Sequence, residues 1–246
     1  MGESRRHSGA YRFFEYVLRP IVAAYTKPTW QGVENLPEGG FIAVSNHVTN
    51  IDALTFGHFL VANGVPVKFL AKQEMFDLPV IGRLFAKADQ IPVQRNTATA
   101  RQALVAAEAA LKRGECIGIF PEGTLTRDPD MWPMAAKTGA ARLALTTGVP
   151  VIPIAQWGTE TAINRYSKVP KPRLRVPVTV RALPPVDLDD LRALEYTPEV
   201  AKEATRRIMA DLTAGVAAIR GEEPPARVYD IRVDGDPRPK KKKRQS

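Results

Sequence analysis

Phe41-Ile42-Ala43-Val44-Ser45-Asn46-His47-Val48-Thr49-Asn50-Ile51-Asp52 is the stretch on which the architecture turns. Its first four residues form an uninterrupted apolar run, fed by the turn composition Leu36-Pro37-Glu38-Gly39-Gly40, and read as a buried strand. The apolar segment Ala53–Val61 behind it predicts a helix. Outward from this strand–turn–helix unit the same rhythm repeats. Val67–Ala71, Ile91–Val93, Cys116–Phe120, Val151–Ala155 and Val176–Ala182 predict strands. Pro79–Ala86, Ala98–Arg113, Ala136–Thr147 and Pro198–Arg220 predict helices, with Gly114 and Gly148 as stops. Strands separated by helices of this length need crossover connections, so the predicted fold is α/β, with a mostly parallel central sheet covered by helices.

The chain has 246 residues, 44% hydrophobic and 25% charged, which excludes collagen-like, wholly disordered and polytopic membrane classes. Charge departs from the average: 35 Lys and Arg against 26 Asp and Glu give a net charge of +9, a balance suited to anionic partners such as phosphate esters, nucleic acid or lipid headgroups. The single cysteine, Cys116, permits neither an internal disulfide nor a cysteine-based zinc site and fits a reducing cytoplasmic setting. No signal peptide or spanning helix is expected, because the first apolar stretch, Tyr11 to Tyr25, is broken by Arg12, Glu15, Arg19 and Pro20. Phe13, Phe14, Val17, Leu18, Ile21 and Val22 nevertheless recur at helical spacing, the composition of an interfacial amphipathic helix or of a helix covering the core. From Gly221 onward Pro, Gly and charge dominate, ending in Lys240-Lys241-Lys242-Lys243-Arg244, which reads as a disordered basic tail able to meet anionic lipid. The expected division is an N-terminal interfacial helical segment over 1–29, an α/β domain over 30–220 and the tail over 221–246.

Chemistry-bearing residues cluster after the apolar strands. Open α/β sheets place their sites at the carboxyl ends of the strands, where His47 and Asp52 fall. Five residues apart, they would diverge by about 140° on a continuous helix. If residues 48–51 form a tight turn, Asp52 can instead accept the imidazole N–H and leave the other nitrogen as a general base. Asp52 also reads as a helix N-cap, and His47 as a hydrogen-bonded buried histidine. Phe120-Pro121-Glu122-Gly123-Thr124 follows another apolar strand. Its glycine permits close approach of a ligand to the backbone, and Glu122 can bind a hydroxyl or orient a cationic neighbour; an ordinary strand-ending turn is the plainer reading. Ile91-Pro92-Val93-Gln94-Arg95 delivers an arginine, whose planar fork suits phosphate, to the same edge. Val149-Pro150-Val151-Ile152-Pro153-Ile154-Ala155 reads as a core strand that could also wall an acyl chain.

These four segments, in this order and over roughly residues 30 to 185, resemble the glycerolipid acyltransferase family, the group containing bacterial 1-acyl-glycerol-3-phosphate (lysophosphatidic acid) acyltransferases. The resemblance implies that His47 and Asp52 are the catalytic dyad, and that Arg95, Glu122 and Gly123, with Thr124 completing the motif, bind the glycerol phosphate acceptor. Val151-Ile152-Pro153-Ile154 corresponds to the family's fourth motif. Lys72 and Lys137 resemble basic positions that add to a phosphate pocket, and Arg127 is a weaker candidate of the same kind. The second motif commonly begins with glycine, where this chain has Asp89.

The expected activity is therefore transfer of a fatty acyl group from acyl-CoA, a co-substrate, to the free hydroxyl of 1-acyl-glycerol-3-phosphate, with no cofactor, no metal and no nucleic acid involved. Within the family the alternative acceptors are glycerol-3-phosphate or a phosphatidylinositol-type glycolipid. Outside it the alternatives are a metal-dependent hydrolase using His47, Asp52 and Glu122, and a non-catalytic basic module for lipid or nucleic acid. The expected location is monotopic, on an anionic surface at the cytoplasmic face of the plasma membrane.

Overall fold

The computed structural model describes residues 19–238, apart from 80, 94–97 and 168. Helix α1 (Arg19–Tyr25) leads directly into strand β1 (Thr26–Gln31), and β2 (Phe41–Ser45) follows after a short 3-10 turn. Then come α2 (Asp52–Ala62), β3 (Val67–Lys72), α3 (Gln73–Phe76), α4 (Ile81–Lys87), β4 (Ile91–Val93), α5 (Ala98–Lys112) and β5 (Cys116–Ile119). The chain continues through α6 (Gly139–Thr147), β6 (Val151–Trp157), α7 (Thr159–Ala162), β7 (Val176–Ala182), α8 (Asp189–Arg192), α9 (Pro198–Arg220) and α10 (Ile231–Asp234). The seven strands form one sheet in the order β1-β7-β6-β2-β5-β3-β4. All neighbours are parallel except β6 and β7. The α/β expectation is met.

The period-two geometry of β2 divides the core. Phe41 and Ala43 pack with Phe56, Phe59 and Leu60 of α2 and with Val178 and Val180 of β7. Ile42 and Val44 face the opposite layer, with Ala107, Leu143, Ala144 and Ile208 from α5, α6 and α9. Because β2 is buried on both faces, it needs apolar residues at every position, which is why its sequence runs unbroken. Helix α9 is bounded by local chemistry: Thr197 Oγ1 accepts from the Val200 N–H at 3.2 Å, Pro198 follows, and Gly221 takes the left-handed conformation at φ 65°.

Three expectations are corrected. The sheet begins at Thr26, not after residue 29: β1 pairs with β7 from Thr26 opposite Val176 to Gln31 opposite Arg181. Helix α6 begins at Gly139 rather than Ala136, because the Lys137 N–H donates to the Pro121 carbonyl at 2.9 Å and holds the chain extended there. The segment expected to be disordered from Gly221 packs back onto the domain as far as it is described. The Tyr229 carbonyl accepts from the Ala135 N–H at 2.8 Å, Asp236 Oδ1 lies 3.3 Å from Arg127 Nε, and α10 is capped by Asp230. Polar contacts hold this segment, and a rule based on apolar content does not register them. Residues 1–18, which carry most of the amphipathic N-terminal pattern, and the basic run 240–244 lie outside the described residues. Among those described, no helix is long and apolar enough to cross a membrane.

Candidate active site

Strands β2, β5, β3 and β4 run parallel and adjacent, so the residues following each emerge along one edge of the sheet. His47 leaves the end of β2, Glu122 the end of β5, and Lys72 is the last residue of β3. Arg95 follows β4 by two residues and lies outside the described set.

Residues 48–51 form the tight turn that a dyad requires. Asp52 opens α2 and folds back, with Oδ2 at 3.2 Å from His47 Nδ1. The same oxygen accepts the Val48 N–H at 2.5 Å and the Thr49 N–H at 2.7 Å. Oδ1 accepts the Thr49 hydroxyl at 2.7 Å and the Thr159 hydroxyl at 2.6 Å. Asp52 therefore caps the turn before it and not the helix it begins, and the fully buried carboxylate is held by five donors. An imidazole facing this acceptor carries its proton on Nδ1, which leaves Nε2 with a lone pair. Among the described residues Nε2 has no protein partner, and the side chain is 19% exposed. The ring stacks on Phe120 at 4.0 Å and 18°, and Phe56 and Phe69 support Phe120 in turn.

Glu122 acts on the backbone. Its Oε1 accepts the His47 N–H at 2.9 Å and its Oε2 the Met134 N–H at 3.2 Å, so the side chain ties the histidine turn to the 131–137 segment. The His47 carbonyl is fixed from the same side by the Thr126 N–H at 2.6 Å. Burial pushes the Glu122 carboxyl up to about 8; the two amide donors pull against this, and Asp52 and Asp128 reinforce it. Glu122 thus binds a proton in the folded chain between its ordinary range and about pH 8, where the unfolded chain has lost it. The contribution of Glu122 to native stability therefore falls as pH rises through that window and levels off above it. Glu122→Gln, unfolded in urea at a series of pH values, is expected to lack this decline, which has a limiting slope of about 1.4 kcal/mol per pH unit.

Gly123 has φ of 71°, and a Cβ there would lie 3.4 Å from Lys137 Cε, so the Lys137 side chain runs along the glycine. The Thr124 hydroxyl accepts from Arg127 Nη2 at 3.1 Å, and Arg127 is itself buried. Asp89, at the position where the resembling motif has glycine, takes φ of 50°, a conformation that Asp tolerates better than most residues, and it pairs with Lys68. The fourth motif is β6, whose Ile152 and Ile154 are fully buried in the core, so these two side chains wall no open cavity.

Sequence reasoning missed Thr159 and Gln156. Gln156 lies at the end of β6, accepts the Thr55 hydroxyl at 2.6 Å and donates to Ser45 Oγ and to the Asn46 and Asp52 carbonyls. Its backbone exchanges hydrogen bonds with the Asn46 side chain. Only the adjacency of β6 to β2 brings these residues to the dyad, and no local pattern signals it. Next to the turn is an apolar cavity of about 490 Å³, lined by Ile51, Leu54 and Thr55 together with Val22, Tyr25, Pro170 and Leu174. Among the described residues, no group of three His, Cys, Asp or Glu side chains is arranged to hold a metal.

A mostly parallel sheet with a His–Asp pair at its carboxyl edge is an arrangement suited to moving a proton, and comparison supplies the family. A family model described as Acyltransferase matches residues 27–157, more than half of the chain, and the protein belongs to that family. The chain is 35% identical over 138 residues to a chloroplastic 1-acyl-sn-glycerol-3-phosphate acyltransferase of Brassica napus, covering 55% of this chain and 38% of that one. It is 34% identical over 153 residues to a 1-acyl-sn-glycerol-3-phosphate acyltransferase of Limnanthes douglasii, covering 61% and 51%. It thus spans about half or less of the length of these relatives. The crystal structure of the 1-acyl-sn-glycerophosphate acyltransferase PlsC from Thermotoga maritima shares the fold, with a TM-score of 0.62 at 23% identity over 88% of this chain and 80% of that one.

Proposed function

We propose that the protein transfers a fatty acyl group from acyl-CoA to the free hydroxyl of 1-acyl-glycerol-3-phosphate, giving phosphatidic acid and free CoA. The observation that carries this reading is the His47–Asp52 pair, with Nδ1 held by a buried carboxylate and Nε2 open. His47 Nε2 takes the hydroxyl proton as that oxygen attacks the thioester carbonyl. Collapse of the tetrahedral intermediate breaks the C–S bond, and the imidazolium returns the proton to the departing CoA sulfur. Asp52 stabilises the imidazolium between these steps, and no acyl-enzyme is needed. Glu122 keeps the His47 backbone in place, while Arg95, Lys72 and Lys137, with Gly123 and Thr124 shaping the turn, hold the acceptor phosphate so that its hydroxyl points at Nε2. A thioester is already activated, so the step requires neither metal nor cofactor.

The acceptor is supported by the names of the relatives, and the net charge of +9 suits the phosphates of lipid and CoA alike. The test supplies purified protein with palmitoyl-CoA or palmitoyl-acyl-carrier protein, and with lysophosphatidic acid, glycerol-3-phosphate or lysophosphatidylinositol, and identifies products by mass spectrometry. Phosphatidic acid formed from palmitoyl-CoA and lysophosphatidic acid is expected. Product only with another acceptor, or only with the carrier-protein donor, would replace that part of the assignment.

The apolar cavity beside Ile51 and Leu54 suits an acyl chain, each buried methylene contributing about 0.8 kcal/mol. Leu54→Trp fills part of it, and is expected to lower kcat/KM for palmitoyl-CoA about tenfold relative to a donor several carbons shorter. A chain-length profile identical to wild type would place the acyl chain elsewhere.

We further assign the protein to the cytoplasmic face of the plasma membrane, held there in part by the amphipathic N-terminal segment. Removal of residues 1–18 is expected to shift a large share of the protein from the membrane to the soluble fraction. The cut stops before Val22, which is buried, and before Tyr25, whose hydroxyl donates to the Ala162 carbonyl at 2.8 Å. Unchanged sedimentation would contradict the anchor.

A further inference from the structure

We propose that the loop over residues 164–175, between α7 and β7, is a lipid-docking surface that seats the protein on an anionic bilayer beside the mouth of the apolar cavity. This inference rests on the proposed reaction with a membrane lipid.

The loop reads Asn164-Arg165-Tyr166-Ser167-Lys168-Val169-Pro170-Lys171-Pro172-Arg173-Leu174-Arg175, with five Lys and Arg and no acidic residue. Val169 and Leu174 are 74% and 73% exposed, and Tyr166 on the same loop is also exposed. An isolated exposed valine or leucine is ordinary. Two of them with a tyrosine on one cationic loop form the apolar-plus-basic combination that enters a headgroup region.

Among the described residues, two cations of this loop lack the carboxylate partner that several arginines elsewhere have. Arg206 and Arg207 pair with Glu203, Arg207 also with Asp190, Arg232 with Asp230, and Arg238 with Asp236. Arg173 and Arg175 are exposed and make no ion pair among the described residues. A polyanionic surface is the complementary partner.

The loop is held in shape and joined to the site. Asn50, in the turn between His47 and Asp52, donates its side-chain N–H to the Ser167 carbonyl at 2.7 Å. The Lys171 N–H donates to the Ala162 carbonyl at 2.8 Å, and the Tyr25 hydroxyl donates to the Ala162 and Lys171 carbonyls. Arg165 donates to the Asp128 and Pro129 carbonyls. Pro170 and Leu174 are at once loop residues and walls of the cavity that Ile51 and Leu54 complete. A bilayer touching the loop therefore lies against the cavity, and an acyl chain can enter without crossing water.

The test places an environment-sensitive fluorophore on the full chain at Val169→Cys; the native Cys116 is buried and is spared. Vesicles of phosphatidylcholine with phosphatidylglycerol are expected to shift the emission to the blue and raise it about threefold, and high salt should reverse the change. Vesicles of phosphatidylcholine alone, and soluble glycerol phosphate, should produce neither effect. The same label at Val105→Cys, an exposed position on α5, should stay in water throughout. A label at 169 that keeps its aqueous emission on vesicles that sediment the protein, or that responds equally to soluble glycerol phosphate, would overturn the proposal.

A second variant, Val169→Glu with Arg173→Glu, is expected to lower acyl transfer to lysophosphatidic acid in anionic vesicles about tenfold or more, and to leave transfer to a monomeric short-chain lysophosphatidic acid near wild type. Equal loss on both substrates, or loss on neither, would also overturn docking. A wild-type chain inactive on both refutes the proposed reaction instead, and docking is then judged by the fluorescence alone.

Discussion

His47→Ala is expected to lower kcat for acyl transfer by about 10²–10⁴-fold, while changing KM for the lipid acceptor little. The size follows from what the ring alone does. In the proposed reaction its Nε2 takes the acceptor proton, and alanine offers no substitute. The fold does not depend on the ring. The backbone N–H of His47 remains on Glu122, its carbonyl remains on the Thr126 N–H, and Asp52 keeps the Val48 and Thr49 amides. What is lost is the stack on Phe120 and one hydrogen bond, a cost of about 1 kcal/mol for a side chain already partly in solvent. Steady-state kinetics with a urea unfolding curve on the same preparation checks both halves of the prediction.

Asp52→Asn is expected to lower kcat by about 10²–10³-fold with little loss of stability, whereas Asp52→Ala is expected to destabilise the protein by about 3 kcal/mol or more. The two substitutions differ because the donors around the carboxylate differ. On the Oδ2 side are the Val48 and Thr49 backbone N–H groups, which cannot accept and so require an oxygen there, and that oxygen also faces His47 Nδ1. On the Oδ1 side are two hydroxyls, from Thr49 and Thr159, which can rotate to accept instead. An asparagine therefore has one good orientation, with its oxygen toward the amides and its nitrogen toward the hydroxyls. The turn survives, and the imidazole keeps its tautomer. The negative charge that would stabilise an imidazolium is gone, so the loss falls on kcat. Alanine removes the acceptor for buried amides altogether, and stability falls. Comparable destabilisation by both substitutions, measured by urea unfolding, would contradict this account of the turn.

The strand–turn–helix unit at Phe41–Ala62 was legible in the sequence because a strand buried on both faces must be apolar throughout, and because the five-residue gap between His47 and Asp52 closes only through a tight turn. Strand β1 was not legible. Thr26-Lys27-Pro28-Thr29-Trp30-Gln31 is an exposed edge with a proline in it, and its partner β7 is about 150 residues away. The chemistry divides in the same way. His47, Asp52 and Glu122 were marked by their place after apolar runs, but the action of Glu122 on two backbone amides depends on how the segment at Met134 returns to it. Thr159 completes the Asp52 pocket from 107 residues away. Its placement follows from strand order, and strand order is a property of the whole sheet. Asp89 could be read only as a departure from glycine, yet its φ of 50° retains the conformation for which glycine is the usual choice.

The central claim is that His47 and Asp52 act as one unit in acyl transfer. The most direct measurement is kcat for CoA release from palmitoyl-CoA with lysophosphatidic acid, compared across wild type, His47→Ala, Asp52→Asn and the double variant. The account predicts that the double variant matches His47→Ala within about threefold, because Asp52 works only through the imidazole. Full multiplication of the two single losses in the double variant, or near-wild-type release by His47→Ala, would contradict it.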